Sequence, residues 1–204
     1  MLQGMLSCSR ILPEVFMSTH KISLKLYLNQ GHDVAPETWF QPFNTWISAH
    51  DGADVMLDVA DYSHVPAGPV SILLGHQYDI SIDDSDHKRG LLYNRKFPQA
   101  DNFADQLSAA IRSACETCQR LQAEGDNVSF RGNEIRLILN DRLNSPNTSD
   151  TLNAIQDDLN SLLSKLYEGA DVAIERREDP KQRFTLDIQT DGDWPVEKLL
   201  ENLS

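Results

Sequence analysis

The chain has 204 residues, 40% of them hydrophobic and 24% charged, an ordinary make-up for a globular protein with room for a sizeable core. Its 31 acidic and 18 basic residues leave a net charge of −13. That excess argues against a broad contact with nucleic-acid phosphates or anionic lipid, which both need clustered Lys and Arg. A local basic group remains at Lys88, Arg89, Arg95 and Lys96.

Residues 1–18 read as an extension. They lack the basic start and continuous apolar stretch of a secretion signal, and Met17 is a natural start for the first strand. No apolar run approaches the roughly 18 residues needed to span a bilayer. Without export, reduced cysteines and a cytoplasmic protein are expected.

The first strand is marked by Ile22, Leu24, Leu26 and Leu28 alternating with Lys25, Tyr27 and Asn29. Trp39, Phe40, Phe43, Trp46 and Ile47 share one helical face, with Pro36 or Pro42 as a first-turn proline. Val55, Leu57 and Val59 alternate with Met56, Asp58 and Ala60. The longest alternation runs through Val70, Ile72, Leu74, His76, Tyr78, Ile80 and Ile82, and Leu91, Tyr93 and Phe97 come after it. Phe103, Leu107, Ala110, Ile111, Ala114, Cys118 and Leu121 form a helical stripe. The second half offers strands at Ile135–Leu137–Leu139, Val172–Ile174 and Phe184–Leu186–Ile188. Between them lies a helix with Leu152, Ile155, Leu159 and Leu163 on one face, capped by Ser149 or Asp150. A short amphipathic helix after Pro195 closes the chain.

The order of elements recurs. LKLYLN at 24–29 resembles IRLILN at 135–140, and GADV appears at 52–55 and at 169–172. This predicts an α+β fold with a largely antiparallel sheet, helices on one face, and duplicated β-α-β-β-α units of ferredoxin-like character. The halves divide at 19–123 and 124–204 and pack as one unit.

Residues 58–96 gather Asp58, Asp61, Tyr62, His64, His76, Asp79 and Arg95 over what read as three short strands. Carboxylates and imidazoles are metal ligands or acid–base partners. A hairpin turning at Pro66 and Ala67 places Asp61 opposite Ile72 and Leu57 opposite His76. Asp61 and His76 then stand about 13 Å apart at roughly 3.3 Å per residue, too far for one metal. His76 accordingly reads as a core histidine. Asp83, Asp84, Asp86 and His87 read as a solvated acidic turn that does not meet the spacing of a calcium loop. Asp61, Tyr62 and His64 beside the Pro-Gly-Pro loop remain as the candidate site, with Arg95 from a neighbouring strand.

Cys115 and Cys118 form C-E-T-C deep inside a helical pattern, where core packing explains them better than redox or zinc chemistry. No phosphate-binding glycine loop, nucleophile elbow or zinc-protease motif occurs, so neither cofactor nor metal is called for. On the outward strand face Tyr27, Met56, Tyr62, Leu73 and Ile138 form an apolar patch of the kind used for dimerisation or ligand contact.

The segment VMLDVADYSHVPAGPVSILLGH, with YDISID and RGLLYNRK after it, resembles a family of bacterial proteins of about this length with no known activity. The resemblance covers residues 24–121 and brings no site residues. The first-half topology also resembles ribosome hibernation factors, whose basic RNA-binding surfaces this acidic chain does not share.

The leading expectation is a cytoplasmic, non-catalytic interaction or ligand-binding module acting through its exposed sheet face, as a homodimer or with a protein partner. Tyr27, Tyr62, Leu73, Asp61, His64 and Arg95 are its contact candidates. The alternatives are a metal-dependent or acid–base enzyme centred on Asp61, Tyr62 and His64, and a ribosome-associated factor.

Overall fold

The computed structural model describes residues 21–29, 35–49, 54–65, 68–125 and 127–204. The expected extension at 1–18, the first GADV up to Ala53, and Pro66 and Ala67 of the loop lie outside them.

In chain order the elements are β1 (Ile22–Leu28), α1 (Phe40–Ala49), β2 (Met56–Asp61), β3 (Pro69–Gly75), β4 (Tyr78–Asp83), β5 (Gly90–Arg95) and α2 (Phe103–Glu124). The second half contributes β6 (Phe130–Leu139), α3 (Ser149–Leu166), β7 (Val172–Arg176), β8 (Phe184–Thr190) and α4 (Val196–Asn202). A 3-10 turn at Pro36–Trp39 leads into α1, and another at Ser85–His87 joins β4 to β5. The strands form one eight-stranded sheet in the order β2-β3-β4-β5-β1-β6-β8-β7. Each neighbouring pair is antiparallel, so the predicted α+β class with a largely antiparallel sheet holds.

One face of the sheet carries the apolar core. Leu24 and Leu26 of β1, Ile80 and Ile82 of β4, Leu137 of β6 and Leu186 of β8 meet Phe43, Leu107, Ala114, Leu159 and Leu199 from the four helices. The helices begin where local chemistry ends the extended chain. Asn102 accepts the Asp105 N–H at 2.9 Å to cap α2. Thr148, rather than Ser149 or Asp150, caps α3 by accepting the Thr151 N–H, because it is the last residue with extended backbone. Cys115 and Cys118 are both fully buried in α2, as core packing predicts. Burial pushes the Cys115 thiol up to about 12 and that of Cys118 well above its usual range.

The structure corrects the reading of residues 58–96 in several ways. The alternation from Val70 to Ile82 is two strands, reversed by a tight turn at Gly75–His76–Gln77, with Leu74 opposite Asp79. The segment therefore spans four strands. His76 stands exposed in that turn and stacks on Phe97, so it is not a core histidine. Even positions face the core in β4, but odd ones do in β3, which buries Leu73 completely and removes it from the outward face. A bulge between Met56 and Asp58 also turns Met56 toward the core and leaves Leu57 exposed.

Among the described residues, the opposite face of the sheet is covered by its own side chains and connections. Ser23, Lys25 and Tyr27 of β1 point there, yet each is only 1% exposed. Residues 84–89 fold back over Lys25 and Tyr27. Lys25 Nζ lies 2.6 Å from the Asp83 carboxylate and donates to the carbonyl and hydroxyl of Ser85. The acidic turn is solvated only in part: Asp83 is buried on Lys25 and Asp84 pairs with Arg89, while Asp86 and His87 are exposed, Asp86 pairing with Arg136 and Arg177.

Candidate functional site

Of the residues singled out by sequence, Asp61, Tyr62 and His64 lie together, whereas Arg95, Tyr27 and Leu73 lie elsewhere. Asp61, at the end of edge strand β2, pairs with Ser71 rather than Ile72. Asp61, Tyr62 and His64 are all exposed, and the Tyr62 and His64 rings stack with centroids 6.4 Å apart. Hydrogen bonds from the Ser63 hydroxyl and N–H hold the Asp61 carboxyl below its usual range. That makes it a weak base, and its contacts are those of a turn-forming Asp.

Arg95 is remote from this group. It ends β5 opposite Tyr78, whereas Asp61 is level with Ser71, Ile82 and Leu91 at the other end of the strands. Its guanidinium is buried and spent on the Phe97 carbonyl at 2.8 Å, the Gln77 side chain at 2.6 Å and the Tyr93 hydroxyl. The basic group at 88–96 is likewise neutralised: Lys88 pairs with Glu134, Arg89 with Asp84, and Lys96 with Asp79. Tyr27 is buried under cations, with Lys25, Lys88, Arg131 and Arg136 all within 6 Å of its ring. Burial raises its hydroxyl far above the usual range. The expected patch of Tyr27, Tyr62 and Leu73 therefore does not exist as a surface.

What the open face does contain is a groove of about 790 Å³ over β1, β3, β4 and β5. Its floor carries three apolar side chains, Ile72 and Leu74 from β3 and Leu92 from β5, with Ser81 and the Asp79 and Asp83 carboxylates of β4 also lining it. Each apolar one is half-buried although it points away from the helices. Ile72 and Leu92 flank Ser81 on its two sides. One wall is a hydrogen-bonded set of neutral amides and a hydroxyl. Ser23 donates to Asn94 at 2.5 Å, Asn140 donates to Asn94 at 2.9 Å and also contacts Ser23, and Arg183 donates to Asn140 at 2.7 Å. The opposite end is closed by Phe97 and the Lys96–Asp79 ion pair.

Sequence reasoning missed this groove for two reasons. Its floor uses Ile72 and Leu74, which the continuous alternation assigns to the core. Its wall joins Ser23, Asn94 and Asn140 across three strands, and no local pattern links them. The usable signal is Gly75, where a small residue interrupts the apolar run ahead of the turn.

Among the described residues no group of three or more His, Cys, Asp or Glu side chains is placed to hold a metal ion. No described helix is long and apolar enough to cross a membrane. No known family model matches the chain, and no curated protein is significantly similar to it.

Proposed function

We propose that this protein is a non-catalytic ligand-binding module whose site is the groove on the open face of the sheet. The observation that carries the reading is the apolar floor of Ile72, Leu74 and Leu92 facing a wall of hydrogen-bonding groups. Small-molecule sites have this make-up, and their volumes run to roughly 300–1,000 Å³. The ligand class it suits is a small, mainly apolar molecule with one hydrogen-bonding end. The apolar body lies on the floor, and the polar end meets Ser23, Asn94 and Asn140. The neutral probe N-phenyl-1-naphthylamine tests this by fluorescence. Enhanced emission is expected with the native chain, lost on Leu74→Glu and kept on Leu57→Glu, which lies outside the groove. Equal emission from the Leu74→Glu variant, or none from the native chain, ends this reading.

Self-association has a different supporting observation. Ahead of and within edge strand β2, Val55 and Leu57 are 57% and 60% exposed, and exposed apolar edge residues favour strand addition. Light scattering is expected to show a dimer that Leu57→Lys returns to monomer; a native monomer disposes of it.

We also infer that the two halves descend from one β-α-β-β-α unit. Aligning LKLYLN with IRLILN makes Lys25 the counterpart of Arg136, and these two residues are direct partners across β1 and β6. A repeat related by a two-fold axis between those strands requires such a self-matching pair.

A further inference from the structure

Beside the groove, on the same face, lies a second cavity of about 510 Å³ lined by Arg136, Arg142, Arg177, Lys181, Arg183 and Asp86. Five cations around one carboxylate are unexpected in a chain of net charge −13.

Two of the cations are already balanced. Asp187 accepts from Arg136 Nε at 2.6 Å and from Arg177 Nε at 2.9 Å. Asp86 Oδ2 accepts from both of the same arginines, at 2.6 and 2.7 Å. The result is a closed ring of two guanidinium groups and two carboxylates with no net charge. Arg142, Lys181 and Arg183 are not balanced. Arg183 donates to the neutral Asn140 side chain, and none of the three has a carboxylate partner among the described residues. All three are exposed and line the cavity together with the two arginines of the ring.

We propose that this cavity binds a phosphate-bearing small ligand, with Arg142, Lys181 and Arg183 holding its phosphoryl oxygens. A phosphoryl group brings three oxygens and up to two negative charges, a closer match to three separate cations than the two oxygens and one charge of a carboxylate. Guanidinium forks match phosphate geometry. Asp86 has a defined part. It occupies the space between Arg136 and Arg177, its side chain is 44% exposed, and its backbone sits at φ 60, a region that non-glycine residues seldom adopt. Its carboxylate lines the same cavity and repels an incoming phosphate, while keeping Arg136 and Arg177 from joining the three cations that hold it.

The site is distinct from the apolar floor of the groove, and the neutral naphthylamine probe does not report on it. Calorimetric titration of inorganic pyrophosphate into the full chain at low salt is expected to give saturable binding. The Arg142→Gln/Lys181→Gln double variant, both positions being exposed, is expected to bind about tenfold more weakly or worse through loss of two charge-assisted contacts. Asp86→Asn is expected to bind several-fold more tightly, a gain that a merely structural Asp86 does not produce. Co-sedimentation with phosphatidic-acid vesicles, lost in the double variant, identifies a lipid headgroup as the source; pyrophosphate binding without such co-sedimentation identifies a soluble one. Unaltered binding in the double variant, absence of saturable heat, or equal affinity for the phosphate-free tricarboxylate tricarballylate overturns the proposal.

Discussion

Lys25 and Arg136 stand directly opposite one another on neighbouring strands β1 and β6, both buried and both cationic. Like charges in that position destabilise a sheet unless something intervenes. Here three carboxylates do: Asp83 on Lys25, and Asp86 and Asp187 on Arg136. The middle of the open face is thus a balanced polar layer, and its balance depends on residues far apart in sequence.

The Lys25–Asp83 pair is the most enclosed part of that layer, with side chains 1% and 8% exposed. Burial draws the Lys25 amine below its usual range, and Asp83 pulls it partly back. Asp83→Asn leaves the amine with no counter-charge, and a loss of about 3–5 kcal/mol is expected from urea unfolding. Lys25→Met combined with Asp83→Leu removes both charges and is expected to cost less than Asp83→Asn alone.

Asp187 makes stability depend on acid. Its burial alone would raise the carboxyl, but hydrogen bonds from Arg136 and Arg177 outweigh it and hold the group below 3.8. A carboxyl depressed by folding contributes stability that is fully present above its unfolded value and lost as pH falls through its folded value. Asp187→Asn is therefore expected to destabilise at pH 7. The gap between variant and native urea midpoints is expected to close as pH falls below about 3.8. A gap that stays constant to lower pH would contradict the role given to this ion pair.

The same polar layer shows what a sequence can and cannot reveal here. Ile22, Leu24, Leu26 and Leu28 announce a core-facing strand because their partners are helices with equally periodic apolar stripes. The intervening Ser23, Lys25 and Tyr27 carry the same alternation and read as a solvent face. Period-two patterning reports that two faces differ, not that the polar one is wet. Whether Lys25 is buried is decided by Asp83 and the fold-back of residues 84–89, contacts more than fifty positions away. His76 fails for a different reason: apolar residues hold the even positions on both sides of the two-residue turn, although the turn moves even positions from the open face in β3 to the core face in β4, so pattern alone runs straight through it.

The two helical cysteines are structural. Both are fully buried, and neither forms a thiolate at neutral pH. In a Cys8→Ser background, a chromogenic disulfide reagent is expected to find no reactive thiol in the native chain and both in urea. Rapid native labelling would restore a redox reading of C-E-T-C.

Gly90 begins β5 where it passes against β1, and an added Cβ there meets the Leu26 carbonyl oxygen and lies 3.1 Å from Tyr27 Cα. Backbone cannot step aside as a side chain can. Gly90→Ala is expected to lower stability by about 1–3 kcal/mol or more by overpacking. Gly169→Ala, by contrast, meets no neighbour, and its cost comes from the positive φ alone.

Arg95 and His64, paired by the sequence as parts of one site, are expected to behave oppositely. The Arg95 guanidinium joins the Phe97 carbonyl, Gln77 and the Tyr93 hydroxyl, and lies 3.9 Å from Asp54. It fastens the β3–β4 turn and the exit of β5 to the core. Arg95→Met keeps much of the packing but orphans those acceptors, and a loss of about 1–3 kcal/mol is expected from thermal or urea unfolding. Among the described residues, the exposed His64 stacks on the exposed Tyr62 ring and acts on the exposed Asp61 carboxylate, so His64→Ala is expected to change stability by less than about 0.5 kcal/mol. It should also leave naphthylamine and pyrophosphate binding unaltered. Loss of either binding on His64→Ala, with the fold intact, would move the functional site back to the Pro-Gly-Pro loop.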